Sequence, residues 1–422
     1  MTGARDTNLL PYYDVVISGN GPGGLASAWE AVMAGKTVLI VSNHAADFVR
    51  SNRDFVKSDR KDYLISMLLP DQERSSDDEH FITNTITEPV IAIKEVERFI
   101  QRRLNEFPPS VLTYLYESQL SELRLQEEDT VVITSLASGG KITVGYETII
   151  GADGTKHHAA DRLNGGWHPS EPGPIVYNNI ASPKHEDNVN AYITIEREDK
   201  AELILPEKNF LVMADEKSDS MYCLSIDKNS LQKNDNKKVK CHFISELTPN
   251  QYAQLQPDEA ITLDEIKTRI ASLLGKENCD NGNITVNLAK KSRKHGEMKD
   301  KLRLLFFKTK LMQANLAAIE SVRDPVNGCE VPSKKFFLVG DAYRHPDYHF
   351  AHGATDALAQ AEMIGKVLAG ESTIKEYNQF CRDTSARMTA ITKESQKLNV
   401  KQAAQLFEDC AELYKLQSKK PH

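Results

Sequence analysis

Residues 13–43 read YDVVISGNGPGGLASAWEAVMAGKTVLIVSN. An apolar strand (Val15, Val16, Ile17) runs into Gly19-x-Gly21-x-x-Gly24, then a helix, then a second apolar strand (Val38, Leu39, Ile40, Val41). Each glycine has a separate task in a dinucleotide cradle. Gly19 allows the tight turn, Gly21 lets backbone approach a pyrophosphate, and Gly24 lets the helix pack closely, with its N-terminal amides facing the phosphates. Pro22 and Gly23 lie inside the same cradle. A glycine triplet by itself is a weak pattern; its place between two strands of a βαβ unit gives it a mechanism.

Outward from this cradle, Lys335-Phe336-Phe337-Leu338-Val339 is a short apolar strand ending in Gly340-Asp341-Ala342, and Thr148-Ile149-Ile150 closes on Gly151-Ala152-Asp153-Gly154. Both arrangements put a carboxylate at the C-terminal end of a strand, where open parallel sheets hold ligands. The order glycine triplet, Asp-Gly, Gly-Asp resembles the three fingerprints of the FAD-dependent (class A) flavoprotein monooxygenases with the p-hydroxybenzoate hydroxylase fold. The resemblance spans residues 13–163 and 335–366 and leaves out the middle. It implies an α/β fold: a discontinuous Rossmann-like FAD-binding domain, a second domain with an antiparallel β-sheet that holds substrate, and C-terminal helices. It implies FAD as the cofactor, with Asp153 and Gly154 beside it, Gly340 in its turn and Asp341 bonding the ribityl chain. It further implies NAD(P)H as co-substrate without a second Rossmann domain, and O2 as the source of an oxygen atom placed in a substrate held between two lobes.

The chain departs from the family pattern in several places. The acidic residue expected about 20 positions after the glycines, which bonds the adenosine ribose, is replaced by Ser42, followed by Asn43 and His44. A hydroxyl or amide bonds a ribose more weakly than a carboxylate does. After the Asp-Gly, His157 stands where the family has serine and Ala160 where it has arginine. Asp153 has a second reading, as a cap on the turn that follows. After the Gly-Asp, Arg344 stands at the family histidine and Asp347 and Tyr348 at the prolines. Ala351, Gly353 and Thr355 align with the family's Gly-x-Gly-x-Asn. The resemblance implies that a helix opening at Gly353 and Ala354 aims its amides at the flavin. It also carries the Tyr343–His352 loop to the edge of the isoalloxazine ring, with His349 and Tyr348 as candidate catalytic residues. His345, His349 and His352 also permit a metal reading, but no acidic ligand pair accompanies them, so no metal is assigned.

Phe48-Val49-Arg50-Ser51-Asn52 resembles locally the Phe-x-Arg-x-Asn stretch of the MICAL monooxygenase domains, which implies Arg50 near the flavin or pyrophosphate; the other reading of Arg50 is a surface salt bridge. From Ile91 to Leu104 the pattern turns amphipathic, with Val96, Phe99, Ile100 and Leu104 on one helical stripe. Lys94 occupies the place of a basic residue that reaches the cofactor in the family. The charge run at residues 71–80, DQERSSDDEH, reads as an exposed loop.

The expected domains are 11–170 as the first part of the FAD-binding domain (with 75–95 open to crossing into the substrate lobe), 171–329 as the substrate domain, 330–372 as the second FAD-binding part and 373–422 as a C-terminal helical segment. Strands are expected at 175–177, 191–195, 210–213, 221–226 and 284–288, with Leu263, Ile266, Ile270 and Leu274 on one helix face. A chain of 422 residues exceeds what one core usually holds, in keeping with two lobes. A net charge of -8 with both signs interspersed argues against nucleic acid as a partner. The six cysteines are far apart with no C-x-x-C pair, which points to reduced thiols and a cytoplasmic setting. No apolar run of about 18 residues occurs, so no membrane span is expected. The function this supports is an FAD-dependent, NAD(P)H-reduced monooxygenase-like oxidoreductase acting on a small-molecule or protein substrate. The alternatives are a flavin dehydrogenase or oxidase of another reaction type, and a non-catalytic binding protein that keeps a degenerate flavoprotein frame.

Overall fold

Three apolar runs that lie more than 100 residues apart in the sequence become neighbours in one sheet. The computed structural model describes residues 10–46, 55–57, 60–68, 75–81, 90–124, 130–167, 173–181, 185–199, 201–207, 210–227, 230–231, 234, 236–255, 259–274, 284–288, 304–321, 333–345 and 353–417. They fall into two compact units, one holding residues 55–180 and 312–388 together with the N-terminal region, the other residues 181–311 and 389–422. The divisions fall at 181 and 312 against the expected 171 and 330, and residues 389–422 belong to the second unit.

The first unit is built on an eight-stranded sheet. Its main path runs Ala318–Ser321, Lys334–Leu338, Lys141–Gly151, Tyr12–Ser18, Val38–Val41, Leu112–Leu115, and all of these neighbours are parallel except the first pair. Thr130–Ser135 and Ser118–Arg124 extend it as antiparallel strands from Lys141–Gly151. Val15, Val16, Ile17, Val38, Leu39 and Ile40 are wholly buried, because a parallel strand covered on both faces has no polar side to show. Helix Pro22–Met33 returns the chain between the first two strands, and helix Ile93–Leu104 buries Val96, Phe99, Ile100 and Leu104 as the stripe predicts. That helix starts at Ile93, since Ile91 belongs to the strand Val90–Ala92, which pairs with Phe55–Lys57.

The charge run at 71–80 is not simply an exposed face. Ser76–His80 is a short helix with Ser75 and Asp78 forming a reciprocal capping box, and Asp78 is only 2% exposed. It meets Arg102 at 2.8 Å and Arg103 at 3.9 Å, the latter itself buried. Burial pushes the Asp78 carboxyl up, but the Arg102 guanidinium and the bonds from Ser75 outweigh it and hold the group below its ordinary value. A carboxylate can be buried here because two cations and a helix end receive it.

A half-buried acid, Glu30, lies where helices Pro22–Met33 and Gly353–Leu368 meet. Gly365 leaves room for the Glu30 carboxylate, while Glu362 is held by Arg60 at 3.1 Å and Lys366 at 3.6 Å. Burial raises Glu30 from 4.5 to about 7. The folded chain therefore keeps Glu30 protonated to a higher pH than the unfolded chain does, and this contribution is complete below about pH 4.5 and lost as pH rises through about 7. Glu30→Gln should raise stability by about 2 kcal/mol at pH 8 and change little at pH 5. Urea melts of both proteins at the two pH values check this, and equal gains at both would refute it.

Within the same unit, Tyr377 and Asn378 of helix Ile374–Ser395 grip the sheet: Tyr377 Oη donates to Leu338 O at 2.8 Å, and Asn378 bonds both backbone groups of Ala318 and the amide of Ala317.

The second unit holds an antiparallel sheet in the order Phe210–Asp215, Ser220–Asp227, Lys238–Leu247, Asp187–Arg197, Ile284–Leu288, with Leu304–Lys308 beside the start of Asp187–Arg197. Val189, Ile193, Leu224 and Phe243 point to one face and form its core with Ile266 and Ile270 of helix Glu259–Leu274. On that helix Thr262 takes the buried position expected for Leu263, which is half-buried. Arg269 is buried too, bonded to Ser245, Glu265 and Asp215. Lys238–Leu247, absent from the sequence expectation although Lys238 and Lys240 alternate with the buried Val239 and Cys241, forms the longest ladder, with Asp187–Arg197. Cys223, Cys241 and Cys381 are free thiols, all buried. Among the described residues no helix is long and apolar enough to cross a membrane.

Candidate functional site

The carboxyl ends of the parallel strands are joined in series by backbone bonds. Gly19 N donates to Val41 O (2.8 Å), Ala152 N to Ser18 O (2.8 Å), and Val339 N to Gly151 O (2.9 Å). The glycine triplet, Asp153 and Gly340-Asp341 therefore leave the sheet side by side on one edge. This is the ligand edge of an open α/β sheet.

At its centre, Gly19 has φ +112°, and a Cβ there would overlap the carbonyl of Ala152. A Cβ on Gly24 would overlap the Gly19 carbonyl, so the helix packs against the turn only because both lack side chains. Helix Pro22–Met33 begins at Gly21 with no side-chain cap and no acid in its first turn, and its first internal bond is Leu25 N to Gly21 O. The amides of Gly23 and Gly24 precede that bond and have no partner within the helix. This is a bare positive helix end, suited to an exogenous anion such as a pyrophosphate.

Of the two roles weighed for Asp153, the capping one is visible in its contacts. Its Oδ2 accepts from Ala159 N (2.6 Å), capping helix His158–Trp167, and from Ser18 Oγ (3.3 Å). Its Oδ1 is buried without a hydrogen-bond partner, and burial raises the carboxyl to about 6. A buried oxygen left open at the ligand edge is what a polar ligand would satisfy. Gly154 lies in the following turn at φ +65°, and His157 closes it at φ +53°. The His157 ring packs between Tyr177 (3.9 Å) and His345 (4.6 Å), and Tyr177 Oη donates to Ala342 O (2.5 Å). The Asp-Gly and Gly-Asp loops are thus stapled by rings, in a chain that lacks the family arginine at Ala160. Burial pushes the His157 pKa down, so this ring is neutral at pH 7.

Gly340 N donates to Gln360 Oε1 (2.7 Å), which ties the Gly-Asp turn to helix Gly353–Leu368. That helix opens at Gly353 and Ala354, as the sequence indicates. A small pocket lined by Gly340, Asp341, Arg344, Gly353 and Asp356 lies at this junction. Lys94 stands in the first turn of Ile93–Leu104, 3.8 Å from Glu95. A cation there opposes the helix dipole, which a nearby anion would offset. Ser42 is buried and its Oγ accepts from His44 N (3.1 Å), while Asn43 is half-buried in the same turn. Arg50, Tyr348, His349 and His352 lie outside the described residues. Among the described residues no group of three metal-ligating side chains occurs.

The second face of the antiparallel sheet carries Asn190, Tyr192 and His242. The two rings stack at 4.6 Å and His242 Nε2 meets Asn190 Oδ1 at 2.6 Å. This group is absent from the candidate residues read in the sequence; the alternation of Asn190, Tyr192 and Thr194 with Ala191, Ile193 and Ile195 is the signal that marks it.

No protein-family model and no curated protein matches this sequence. Solved structures do match. The myxobacterial chondrochloren halogenase CndH, described as a variant of FAD-dependent halogenases, aligns over 88% of this chain and 78% of its own at 15% identity and TM-score 0.57. The flavin-dependent monooxygenase PieE, solved with FAD and substrate, aligns over 97% and 69% at 13% identity and TM-score 0.55. The tetracycline destructase Tet(51) aligns over 97% and 100% at 12% identity and TM-score 0.55. The chain has the fold of the FAD-dependent monooxygenases. At this level of identity the likeness concerns the fold, and none of these three structures bears on the local likeness to MICAL domains, which rests on residues 48–52, outside those described.

Proposed function

We propose that this chain is an FAD-dependent oxidoreductase of the oxygenase type, reduced by NAD(P)H and acting on a small organic substrate. The observation that carries the reading is the bare helix end at Gly21–Gly24, flanked on adjacent strand ends by Asp153 and Asp341. When bound, FAD supplies hydride acceptance and reaction with O2; the protein supplies binding, orientation and electrostatics. The Gly23 and Gly24 amides hold the pyrophosphate, with Lys94 adding positive charge. Asp341 accepts from the polyol hydroxyls, and Asp153 Oδ1 receives a further polar group. The neutral His157 ring braces the two loops without placing a competing cation beside the cofactor. The Gly353 helix end favours negative charge on the flavin's pyrimidine side.

The test is direct. The purified protein, supplied with FAD, should take up the flavin's visible absorbance, bleach under nitrogen with NADH or NADPH, and recover on admission of O2. No uptake of FAD would support the non-catalytic alternative, and bleaching without recovery in O2 would support a dehydrogenase. In the same assay Tyr348→Ala or His349→Ala should lower coupling of NAD(P)H oxidation to product about tenfold, about 1.4 kcal/mol, with FAD still bound. Unchanged coupling in both variants would make the loop a connector.

A further inference from the structure

The adenosine end of the cofactor site lacks the acid that ordinarily bonds the ribose, and the strand that should present it ends at Ser42. The Ser42 hydroxyl already accepts from His44 N, so part of its capacity is spent within its own turn. The chain leaving the neighbouring strand is tied to the same turn. Leu112–Leu115 runs parallel to Val38–Val41 with Leu115 beside Val41, and the chain leaving it is bonded twice to the Ser42 turn: Glu117 N to His44 O at 3.0 Å and Ser118 N to Ser42 O at 2.8 Å. Between these two bonds stands Glu117, exposed, in the left-handed region at φ +47°. A non-glycine residue there is uncommon, and a glutamate rarer than an asparagine or aspartate. Its backbone is fixed to the same turn from which the missing carboxylate would have come.

We propose that Glu117 is the ribose-binding acid of this chain, supplied by the third parallel strand instead of the second, and that it selects a cofactor with intact adenosine hydroxyls. A carboxylate accepting from ribose hydroxyls makes charge-assisted bonds, stronger than those of Ser42. The proposal rests on the FAD reading above and assigns within it a residue that no glycine or Asp-Gly fingerprint identifies. Helix Ile93–Leu104 reaches the same edge through Gln101, which donates to Tyr116 Oη at 3.3 Å, so the residue before Glu117 is held from the helix layer as well.

The experiment is equilibrium titration of the apoprotein with two probes, FAD and the FAD analogue lacking the adenosine 2′-hydroxyl. The parent should bind FAD about tenfold more tightly than the analogue, a difference of about 1.4 kcal/mol. Glu117→Gln should lose that preference, weakening FAD about tenfold and the analogue less than about twofold. Glu117→Gly, which tolerates the left-handed backbone, should behave in the same way, while Ser42→Ala should change either affinity by less than about threefold. If Glu117→Gln and Glu117→Gly keep the parent's preference for the ribose hydroxyl, or the parent shows none, Glu117 is not the ribose acid, and the FAD reading stands. If the parent binds neither probe, both readings fall together. Circular dichroism and a thermal melt of each variant separate loss of contact from loss of fold.

Discussion

Gly21→Val should cost at least about 100-fold in FAD affinity, about 2.7 kcal/mol, while leaving the melting temperature close to that of the parent. The reason lies in the backbone. Gly21 has φ −72° and ψ −176°, an extended conformation that any residue adopts, so its backbone conformation does not require glycine. Gly19 and Gly24 differ, because side chains at those positions would collide with backbone inside the turn and damage the fold itself. A glycine without a conformational reason, at the start of an uncapped helix, is explained by a ligand that approaches its backbone. Valine would put two methyl groups in that approach. Flavin titration with a parallel thermal melt gives the result, and a Gly21→Val protein that binds FAD like the parent would falsify the cradle.

Asn378→Leu should destabilise the chain by about 3–5 kcal/mol. Asn378 is 8% exposed, and its amide accepts from Ala317 N (2.8 Å) and Ala318 N (3.0 Å) and donates to Ala318 O (2.8 Å). Leucine fills the volume but leaves two donors and an acceptor without partners next to the edge strand Ala318–Ser321. Each such buried group costs about 1–3 kcal/mol. Asn378→Asp keeps the acceptor and loses the donor, so it should fall between parent and Asn378→Leu. Denaturant melts order the three proteins, and a Leu variant as stable as the parent would show that water or backbone movement replaces the asparagine. Because Ala318–Ser321 pairs with the strand that ends in Gly340-Asp341, the same variant should also bind FAD less tightly.

Much of this fold is legible in the sequence where one segment contains its own reason. The run from Tyr13 to Asn43 has a strand, a glycine turn, a helix and a strand in immediate succession, so its geometry follows from local chemistry. The stripe Val96, Phe99, Ile100, Leu104 and the strands around Ile193, Val212 and Leu224 are legible for the same reason, since periods of 3.6 and 2 need only the nearest residues. The charge run at 75–80 misleads because its burial depends on Arg102 and Arg103, more than 20 residues away. No local pattern states that Asp78 has two cations waiting.

The site divides along the same line. By itself the sequence determined the cradle glycines, the two strand-end aspartates and the helix opening at Gly353, because each is a short motif with a built-in backbone consequence. Only the tertiary structure decided that Gly19, Asp153 and Gly340 leave one edge together, through pairings of Ser18 with Gly151 and Gly151 with Leu338. It also decided that Asp153 caps a helix while keeping one oxygen open, that His157 stacks between Tyr177 and His345, and that Glu117 is tied to the turn where Ser42 replaces an acid. Apart from Asp153 with Ala159 and His157 with Tyr177, these contacts join residues 70 to nearly 190 positions apart, and their partners are chosen by strand order and register. A hydrogen bond across parallel strands depends on which segments lie side by side, and local propensity carries no information about that choice.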